Sequence, residues 1–338
     1  MANKKIAVVT GAEGFIGSSL VRELIKSDWK VIALHRPGAN LMRLAGVDVT
    51  LRACNIMVPS HLALAIPENA HGIFHLAADL RITHRRSSKQ MEVNVDGTRN
   101  VLHAAIEKRC HRSLFTSSMG AFGMHPHRID ETTASNAMAL PIHYFQSKYL
   151  GEIEVEKAID RGLDAVIMNP SNVAGPRDII NIWATYIGLV YSSNIPAIGP
   201  GASSFCHVRE VARSMVACIE RGKTGERYLL GGADTTFFEL GKVIQRIVGG
   251  HAPRIAVPSW MFRLAANIIS RYAWLRGGHT FLTPEMALVI SSKMLVDCSK
   301  AVRDLGYKVT SLEEMFRDEV GWLKENNLLT RSTPWVWS

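Results

Sequence analysis

The chain has 338 residues, 47% of them hydrophobic and 20% charged, which suits a large buried core and excludes a disordered or fibrous protein. Its formal net charge of +9 favours anionic partners. Nucleic acid, an anionic membrane surface and a phosphorylated ligand all meet that description.

Short apolar runs alternate with amphipathic stretches through the first two-thirds of the chain. The runs lack the strict alternation of strands with one exposed face, which is typical of a parallel sheet that helices cover on both sides. The sequence therefore predicts an α/β fold with a Rossmann-type, doubly wound parallel sheet. The predicted strands are Ile6–Thr10, Val31–Leu34, Val47–Leu51, Gly72–Leu76, Ser113–Ser117 and Ala165–Asn169, and the helices Ser18–Lys26, Val93–Lys108 and Tyr144–Arg161.

After Pro170 the pattern becomes less regular and predicts a smaller, mostly helical C-terminal lobe over the carboxyl edge of the sheet. The stretch Gly175–Phe205 is rich in Gly, Pro and Ser around a helix at Asn181–Tyr191, and Glu226–Leu230 is a late strand able to rejoin the sheet. We expect residues 1–175 and 205–235 to form the sheet domain, and residues 176–204 and 236–330 the lobe. Further predicted helices are Val208–Arg221, Phe237–Val248, Trp260–Tyr272, Pro284–Ile290 and Leu312–Asn326.

A glycine-rich loop follows the first strand and leads into a helix. Glycines there permit a tight turn and a close backbone approach to a pyrophosphate, and the helix start offers free N–H groups. This context favours a dinucleotide-binding loop over a merely structural turn. The spacing Gly-x-x-Gly-x-x-Gly resembles the short-chain dehydrogenase/reductase superfamily, and the fuller string resembles its extended branch. The candidate residues are Gly11, Glu13, Gly14, Phe15, Ile16 and Gly17.

The end of the second strand indicates which dinucleotide binds. An acid that would hold both ribose hydroxyls of NAD is missing there, and the strand ends in His35 and Arg36 instead. Arg36, with Arg43 seven residues on, can form charge-assisted hydrogen bonds to a 2′-phosphate. We therefore expect NADP(H), and the sheet domain is then the NADP-binding domain. The alternative is that Arg36 is an ordinary solvated arginine.

The family resemblance implies further cofactor contacts at the carboxyl ends of the other strands. Asn55 stands where relatives commonly carry an acid that contacts the adenine amine, and Asn94 matches an asparagine that braces the central sheet. By its position alone, Asn94 is equally well a helix cap. The further residues implied are Ile56, Leu76, Ala77, Ala78, Thr116, Ser117, Pro170, Ser171, Asn172 and Val173.

Three residues in chain order indicate the chemistry. Tyr144 and Lys148 are four apart and share one face of a predicted helix. A nearby lysine and an oxidised nicotinamide favour the phenolate and lower the pKa of the tyrosine, so that it can exchange a proton with a carbonyl or alcohol oxygen. Ser118, at a strand end on the ligand edge, can hold that oxygen. Tyr-x-x-x-Lys alone is a frequent chance match, but the three elements in order favour catalysis.

Within the extended family, the chain most resembles dihydroflavonol 4-reductase-like and hopanoid-associated epimerase-like proteins. The resemblance rests on His35-Arg36-Pro37, Asn94–Thr98 and Asn169–Arg177. Nucleotide-sugar enzymes of the family carry an arginine before an aromatic-x-His-Val strand, and here Ser203–Val208 has none. A sugar-nucleotide substrate is therefore less favoured, although Arg177 or Arg209 could compensate. Met119-Gly120 also lacks the acid pair of the family's dehydratases.

These features predict an NADP(H)-dependent oxidoreductase that reduces a ketone or aldehyde, or oxidises the alcohol, of an apolar small molecule held by the C-terminal lobe. One alternative is a sugar or sugar-nucleotide epimerase using the same residues through a keto intermediate. A second is a non-catalytic dinucleotide sensor, which the retained tyrosine argues against.

The segment 259–276 is strongly apolar and carries Arg263, Arg271 and Arg276. An ordinary core helix, a lid over a greasy substrate and peripheral membrane contact all remain open for it. By analogy with the family, the helices Val93–Lys108 and Tyr144–Arg161 form a homodimer interface.

The remaining features argue against other classes of partner. Basic residues are spread along the chain, and the densest run, His84-Arg85-Arg86, lacks interleaved aromatics, so we expect no nucleic acid. Five widely spaced cysteines without a Cys-x-x-Cys pair predict neither disulfides nor a metal site, and indicate a reducing, cytoplasmic location. The run before the first strand is too short for a signal-peptide core, and nothing reaches the length of a membrane span. Loop histidines such as His125 and His127 receive no role.

Overall fold

The computed structural model describes residues 4–82, 88–179, 182–276, 280 and 282–329. Within them, seven strands form one parallel sheet in the order β10-β6-β5-β4-β1-β2-β3. The order reverses direction beside β1, as in doubly wound folds, so the Rossmann-type prediction is confirmed. The strands are β1 Ile6–Thr10, β2 Lys30–His35, β3 Thr50–Ala53, β4 Gly72–His75, β5 Ser113–Thr116, β6 Ala165–Pro170 and β10 Arg227–Leu230.

Helices cover both faces of this sheet and give it two cores. Helices α1 and α7 contribute to the core on one face, and α2, α4 and α5 to the core on the other. This double cover explains why most of the strands are buried on both faces and show no apolar–polar alternation, whereas all four residues of the edge strand β3 are exposed. The helices are α1 Phe15–Lys26, α2 Pro59–Ala65, α3 Ser88–Met91, α4 Gly97–Glu107, α5 His143–Asp160 and α7 Val208–Arg221.

Several boundaries differ from the sequence prediction by one to five residues, and two of these differences concern the parallel sheet and the helix beside it. Strand β3 begins at Thr50 rather than Val47, and Val47 and Val49 instead pack against the core from the preceding loop. The helix predicted from Val93 begins at Ser88 and contains a π-helical turn, Glu92–Asp96, between α3 and α4. Residues 1–3 and the run His84-Arg85-Arg86 lie outside the described residues, as does Asn181, the predicted start of the helix that ends at Tyr191.

A second sheet and a small third one, which the sequence did not predict, lie outside the parallel sheet. In the second sheet β9 pairs with β7, β11 and β13, and in the third β8 pairs with β12. Most of these strands are two to four residues long, and β9 carries Ser203 and Ser204 in its centre, so no apolar pattern marks them. The strands are β7 Asn172–Ala174, β8 Ala197–Ile198, β9 Ala202–His207, β11 Ala233–Thr236, β12 Ile255–Ala256 and β13 Lys293–Met294.

Helices make up the rest of the lobe. Strand β9, α6, α8, α10 and α12 share a third core, in which the rings of Trp183, Phe205 and Phe316 meet edge-on. Among the described residues, no helix combines the length and apolarity needed to cross a membrane. The helices are α6 Ile182–Tyr191, α8 Phe237–Val248, α9 Ser259–Leu275, α10 Pro284–Ile290, α11 Ser299–Leu305 and α12 Leu312–Glu325.

Candidate active site

The glycine loop turns tightly between β1 and α1. Gly11 has φ +65°, and a Cβ there would lie 2.7 Å from the backbone nitrogen of Ala77. A Cβ on Gly17 would overlap the carbonyl oxygen of Gly11, and Gly14 caps α1 without a side chain. The loop is therefore a cradle that tolerates no side chain at two of its three glycines. Phe15 and Ile16, in the first turn of α1, pack against the adjoining core.

Glu13 joins this loop to the end of β2. Its Oε1 accepts the backbone N–H of Arg36 at 3.1 Å, while its buried Oε2 has no partner among the described residues. Arg43 donates to the carbonyl oxygens of Glu13 at 3.4 Å and of Arg177 at 2.8 Å. The Arg36 side chain is exposed, and the structure gives its guanidinium no partner in the described part of the chain. His35 lies beside it, with Nδ1 3.1 Å from the Arg36 carbonyl oxygen.

The ends of β3 and β4 complete this part of the edge. The Asn55 side chain accepts the N–H of Met57 at 3.1 Å, and the adjacent Ile56 is buried. The Thr10 hydroxyl accepts the N–H groups of Leu76 and Ala77, both at 3.2 Å. These bonds fix the backbone after β4, which continues to the partly exposed Ala78.

Asn94 lies in the π-helical turn, within a continuous helical run, so it is not a helix cap. Its amide nitrogen donates to the Asp79 carbonyl oxygen and to the Ser147 hydroxyl, each at 2.9 Å, and its oxygen accepts the Asp79 N–H at 2.7 Å. Asn94 therefore ties the segment after β4 to α5, the helix that carries Tyr144. The unusual turn allows one side chain to reach both, and π-turns are frequent at functional sites.

Tyr144 and Ser118 meet at the end of β5. The Ser118 side chain lies beside the Tyr144 phenol, and its Oγ accepts the N–H of Gly120 at 3.1 Å. Burial raises the pKa of Tyr144 to about 12, and the neighbouring Ser118 hydroxyl offsets part of that rise. The neighbouring Ser117 is buried, and its hydroxyl has no hydrogen-bond partner among the described residues. Of the two serines, Ser118 is the one placed to act with Tyr144.

Lys148 lies one turn further along α5 and is buried. Its Nζ donates to the carbonyl oxygen of Thr116 at 2.8 Å and lies 5.4 Å from the centre of the Phe115 ring. Burial lowers the pKa of Lys148 to about 8, and the charge of Glu152 partly opposes the change. We expected this lysine to lower the pKa of Tyr144. In the structure burial dominates and raises it.

The segment after β6 bounds the site on the other side. Ser171 donates its N–H to the Leu230 carbonyl oxygen at 2.8 Å, which holds Pro170 and Ser171 at the junction of the two sheets. The Asn172 amide donates to the Ser203 hydroxyl and the Ser204 carbonyl oxygen, and Val173 pairs with Cys206 in the second sheet. The Asn172 side chain and the backbone of Ser171 and Val173 therefore support the wall of the site.

Two residues that sequence reasoning did not assign hold the site together. His75 is buried at the end of β4, with Nδ1 2.7 Å from the Thr10 hydroxyl and Nε2 3.0 Å from the Thr98 hydroxyl. Burial, with the charge of Lys148, lowers the pKa of His75 to about 3. Glu152 is buried on α5 and accepts from Asn169 at 2.6 Å. A polar residue at the end of an otherwise apolar strand was the available signal for His75.

The region that would hold a nucleotide diphosphate is buried and uncharged. All six residues of β9 are buried, and Ser203 and Ser204 bond to neighbouring backbone and side chains. Arg209 forms ion pairs with Glu210, Glu314 and Asp318, so it is already compensated. Neither feature supplies the missing cation. Within the described ranges, no group of His, Cys, Asp and Glu is arranged to bind a metal.

Comparison with known proteins assigns this architecture. The family model described as "NAD dependent epimerase/dehydratase family" matches residues 7–231. A protein named "Putative dihydroflavonol 4-reductase" from Synechocystis sp. is 30% identical, over 94% of each chain. "Sterol demethylase protein B" from Methylococcus capsulatus is 28% identical, over 95% of this chain and 99% of its own. The crystal structure of gox2253 superposes with a TM-score of 0.84 and 30% identity, covering 97% of this chain and 100% of that one.

Proposed function

This chain belongs to the NAD dependent epimerase/dehydratase family of extended short-chain dehydrogenases/reductases, and we propose that within that family it is an NADP(H)-dependent oxidoreductase. It reduces a ketone or aldehyde, or oxidises the corresponding alcohol, of an apolar small molecule. The observation that carries this proposal is that the Tyr144 and Ser118 hydroxyls lie side by side at the end of β5, one helical turn from buried Lys148.

The glycine cradle and the unpartnered Glu13 Oε2 fit a dinucleotide. The backbone at Gly11, Gly14 and the start of α1 would hold its phosphates. Leu76–Ala78 and Pro170–Val173 would flank the nicotinamide end, and Asn55 with Ile56 the adenine end. When bound, NADP(H) supplies or accepts the hydride.

Ser118, Tyr144 and Lys148 each have a separate role in the proposed reaction. Ser118 donates a hydrogen bond to the substrate oxygen and holds it beside Tyr144. In the reduction, Tyr144 gives its proton to that oxygen as negative charge develops there; in the oxidation it takes the proton back. The cationic Lys148 stabilises the resulting phenolate, which a tyrosine with a pKa of about 12 does not otherwise form at neutral pH.

The choice of NADP(H) over NAD(H) rests on charge. The exposed Arg36 at the end of β2 and Arg43 beside the glycine loop are two cations near the expected position of the adenosine ribose. Bidentate arginine contacts to phosphate are strong and geometrically selective. Glu13 accepts the Arg36 N–H, so its carboxylate also lies at the end of β2.

The substrate class follows from the surroundings of Tyr144. Tyr144 packs against a buried apolar cluster, and Ile82, Met124, Leu288 and Val289, from three other parts of the chain, pack against the same cluster. Such a lining favours an apolar molecule over a sugar. The similar proteins named for dihydroflavonol reduction and for sterol demethylation agree with that chemistry. The buried, uncharged strand β9 opposes a sugar-nucleotide substrate.

Two measurements test the proposal. NADPH and NADH are titrated side by side against the wild type, Arg36→Ser and, as a matched control, the exposed Arg303→Ser. We expect the wild type to bind NADPH more tightly than NADH. Arg36→Ser should weaken the binding of NADPH, and Arg303→Ser should leave it unchanged. Equal affinities in all three proteins would contradict the cofactor assignment.

Turnover is then measured with NADPH and a series of aryl aldehydes and cyclic ketones of increasing size. Tyr144→Phe should lower kcat by about 100- to 10,000-fold while NADPH binding persists. Net consumption of NADPH distinguishes a reductase from an epimerase, which returns the cofactor unchanged. A Tyr144→Phe variant with full turnover would exclude the mechanism.

We also propose a role for each part of the chain, a homodimeric state and a cytoplasmic location. Residues 1–175 with 205–235 bind the dinucleotide, and residues 176–204 and 236–330 bind the substrate. A homodimer forms through α4 and α5, which sedimentation equilibrium tests directly. The five cysteines, all free and buried, suit the reducing cytoplasm.

A further inference from the structure

Helix α9 is exposed along nearly its whole length. Ala266 is the one residue of this 17-residue helix that is fully buried, and Phe262 packs only partly against the third core. A helix this apolar is ordinarily enclosed by protein. The structure therefore excludes a core helix and leaves a large apolar surface without a partner among the described residues.

The most outward face of α9 is also its most apolar one. Leu264, Ile268 and Leu275 follow one another at helical spacing and are 54%, 60% and 75% exposed. They lie on the side of the helix away from Ala266. Met261 and Tyr272 extend the same face and are exposed as well. A solvent-facing helix normally carries polar residues there, so this pattern is inverted.

Positive charge borders this face. Arg263, Arg271 and Arg276 are exposed on or directly after α9. Between residues 240 and 284 the sequence holds six basic residues and no Asp or Glu. The cationic border is thus a property of the whole segment, and it adds to a net charge of +9.

Large aromatic side chains stand near both ends of the helix. Trp260 is 69% and Trp274 66% exposed. Tryptophan and tyrosine concentrate at the level of lipid headgroups, where an apolar ring with one polar end is favoured.

We propose that α9 docks in the plane of an anionic lipid surface. Its outward face of Met261, Leu264, Ile268, Tyr272 and Leu275 enters the headgroup–acyl boundary, and the three bordering arginines contact lipid phosphates. A second copy of the chain fits this surface less well. In a symmetric dimer through α9, the arginines of one copy would face those of the other and repel them, because no carboxylate lies between them. The helix is too short and too charged to span the bilayer.

The test is flotation of the full-length protein with vesicles of phosphatidylcholine alone or of phosphatidylcholine with phosphatidylglycerol. We expect binding to the anionic vesicles, weakened by salt because the charged contacts are screened. Arg263→Gln, Arg271→Gln and Arg276→Gln together should weaken it about 100-fold, at about five-fold per arginine. Leu264→Gln with Ile268→Gln should also weaken it.

Matched controls come from surfaces elsewhere. Leu64→Gln, at a leucine 84% exposed on α2, and Arg303→Gln with Arg317→Gln should leave vesicle binding unchanged. Melting temperature and NADPH binding show that each variant is folded. Wild-type protein that ignores anionic vesicles, or α9 variants that bind as wild type, would overturn the proposal. So would a dimer in vesicle-free buffer that the Leu264→Gln, Ile268→Gln variant dissociates, because the occupant would then be a second copy.

Discussion

Burial determines the protonation of three side chains around the proposed site. It keeps the Tyr144 phenol protonated, with a pKa of about 12, lowers the pKa of Lys148 to about 8, and holds His75 neutral, with a pKa of about 3. Only Lys148 therefore changes charge near physiological pH. Each of these shifts has a consequence that can be measured separately.

Lys148 should set the alkaline limit of the reduction. Because the ammonium stabilises the phenolate, kcat should be constant below pH 8 and decline above it as Lys148 loses its proton. The charge of Glu152 raises the pKa of Lys148, so Glu152→Gln should move this decline to lower pH. The pH profile of kcat measures the effect. Glu156→Gln, at an exposed glutamate on the same helix, is the control. If the alkaline decline of kcat stayed at the same pH in Glu152→Gln, Lys148 would not be the group that sets it.

His75 should make the fold sensitive to acid. Its pKa is about 3 in the folded protein and near 6.5 when unfolded, so the unfolded chain binds the extra proton between these values. Stability is therefore lost as pH falls through this window, by about 1.4 kcal/mol per pH unit from this residue. His75→Gln removes that contribution. The free energy of unfolding is measured with urea at several pH values for His75→Gln and the wild type. The difference between the two proteins should become smaller toward low pH, and a constant difference would contradict the low pKa of His75.

For single residues, the sequence could predict where the motif residues lie in the fold but not which side chains they contact. The order of the glycine loop, Ser118 and Tyr144 placed them at strand ends that share one edge. It could not predict that the Ser118 hydroxyl lies beside the Tyr144 phenol while the Ser117 hydroxyl is buried without a hydrogen-bond partner among the described residues, because two adjacent serines differ only in which side of the strand they face. The partners of His75 lie on distant parts of the chain, so they depend on the sheet order.

Among the elements, α1 depends most directly on glycine. Gly17→Ala would overlap the Gly11 carbonyl oxygen, so we expect a loss of about 1–3 kcal/mol in the free energy of unfolding and weakened NADPH binding. Gly321 is the control, since a Cβ at this position in α12 meets nothing within 4 Å. Gly321→Ala should stabilise the protein by up to about 1 kcal/mol and leave NADPH binding unchanged. Chemical denaturation and cofactor titration measure both, and a harmless Gly17→Ala would contradict the cradle.

The two sheets differed in how far their sequences revealed them. Most strands of the parallel sheet are apolar runs of four to six residues, and helices with a clear 3.6 period lie between most of them. The second sheet is built on β9, whose serines are buried but bonded to Asn172 and Asp234. Polar residues satisfied by tertiary hydrogen bonds leave no apolar pattern, so such a strand is invisible until the fold brings its partners together.

Across the whole molecule, the last helix of the lobe holds the segment that leaves the sheet. Glu319 on α12 accepts the N–H of Gly175 at 3.0 Å, directly after β7. Two residues on, the Arg177 carbonyl oxygen accepts from Arg43 beside the glycine loop. Lobe and cofactor loop are thus joined through a few bonds, and the first of them depends on a fully buried carboxyl group.

Glu319 should make this junction weaken as pH rises. Burial, and then the nearby buried Asp178, raises the pKa of Glu319 well above its usual value, so the folded chain keeps a proton that the unfolded chain releases. Stability therefore falls with rising pH above about 4.3. Glu319→Gln keeps an oxygen for Gly175 and cannot ionise. We expect its free energy of unfolding to exceed that of the wild type increasingly with pH, by up to about 1.4 kcal/mol per unit. The control is Glu313→Gln, at an exposed glutamate, whose free energy of unfolding should change with pH as that of the wild type does. If Glu319→Gln gave the same pH dependence as the wild type, Glu319 would not hold this proton.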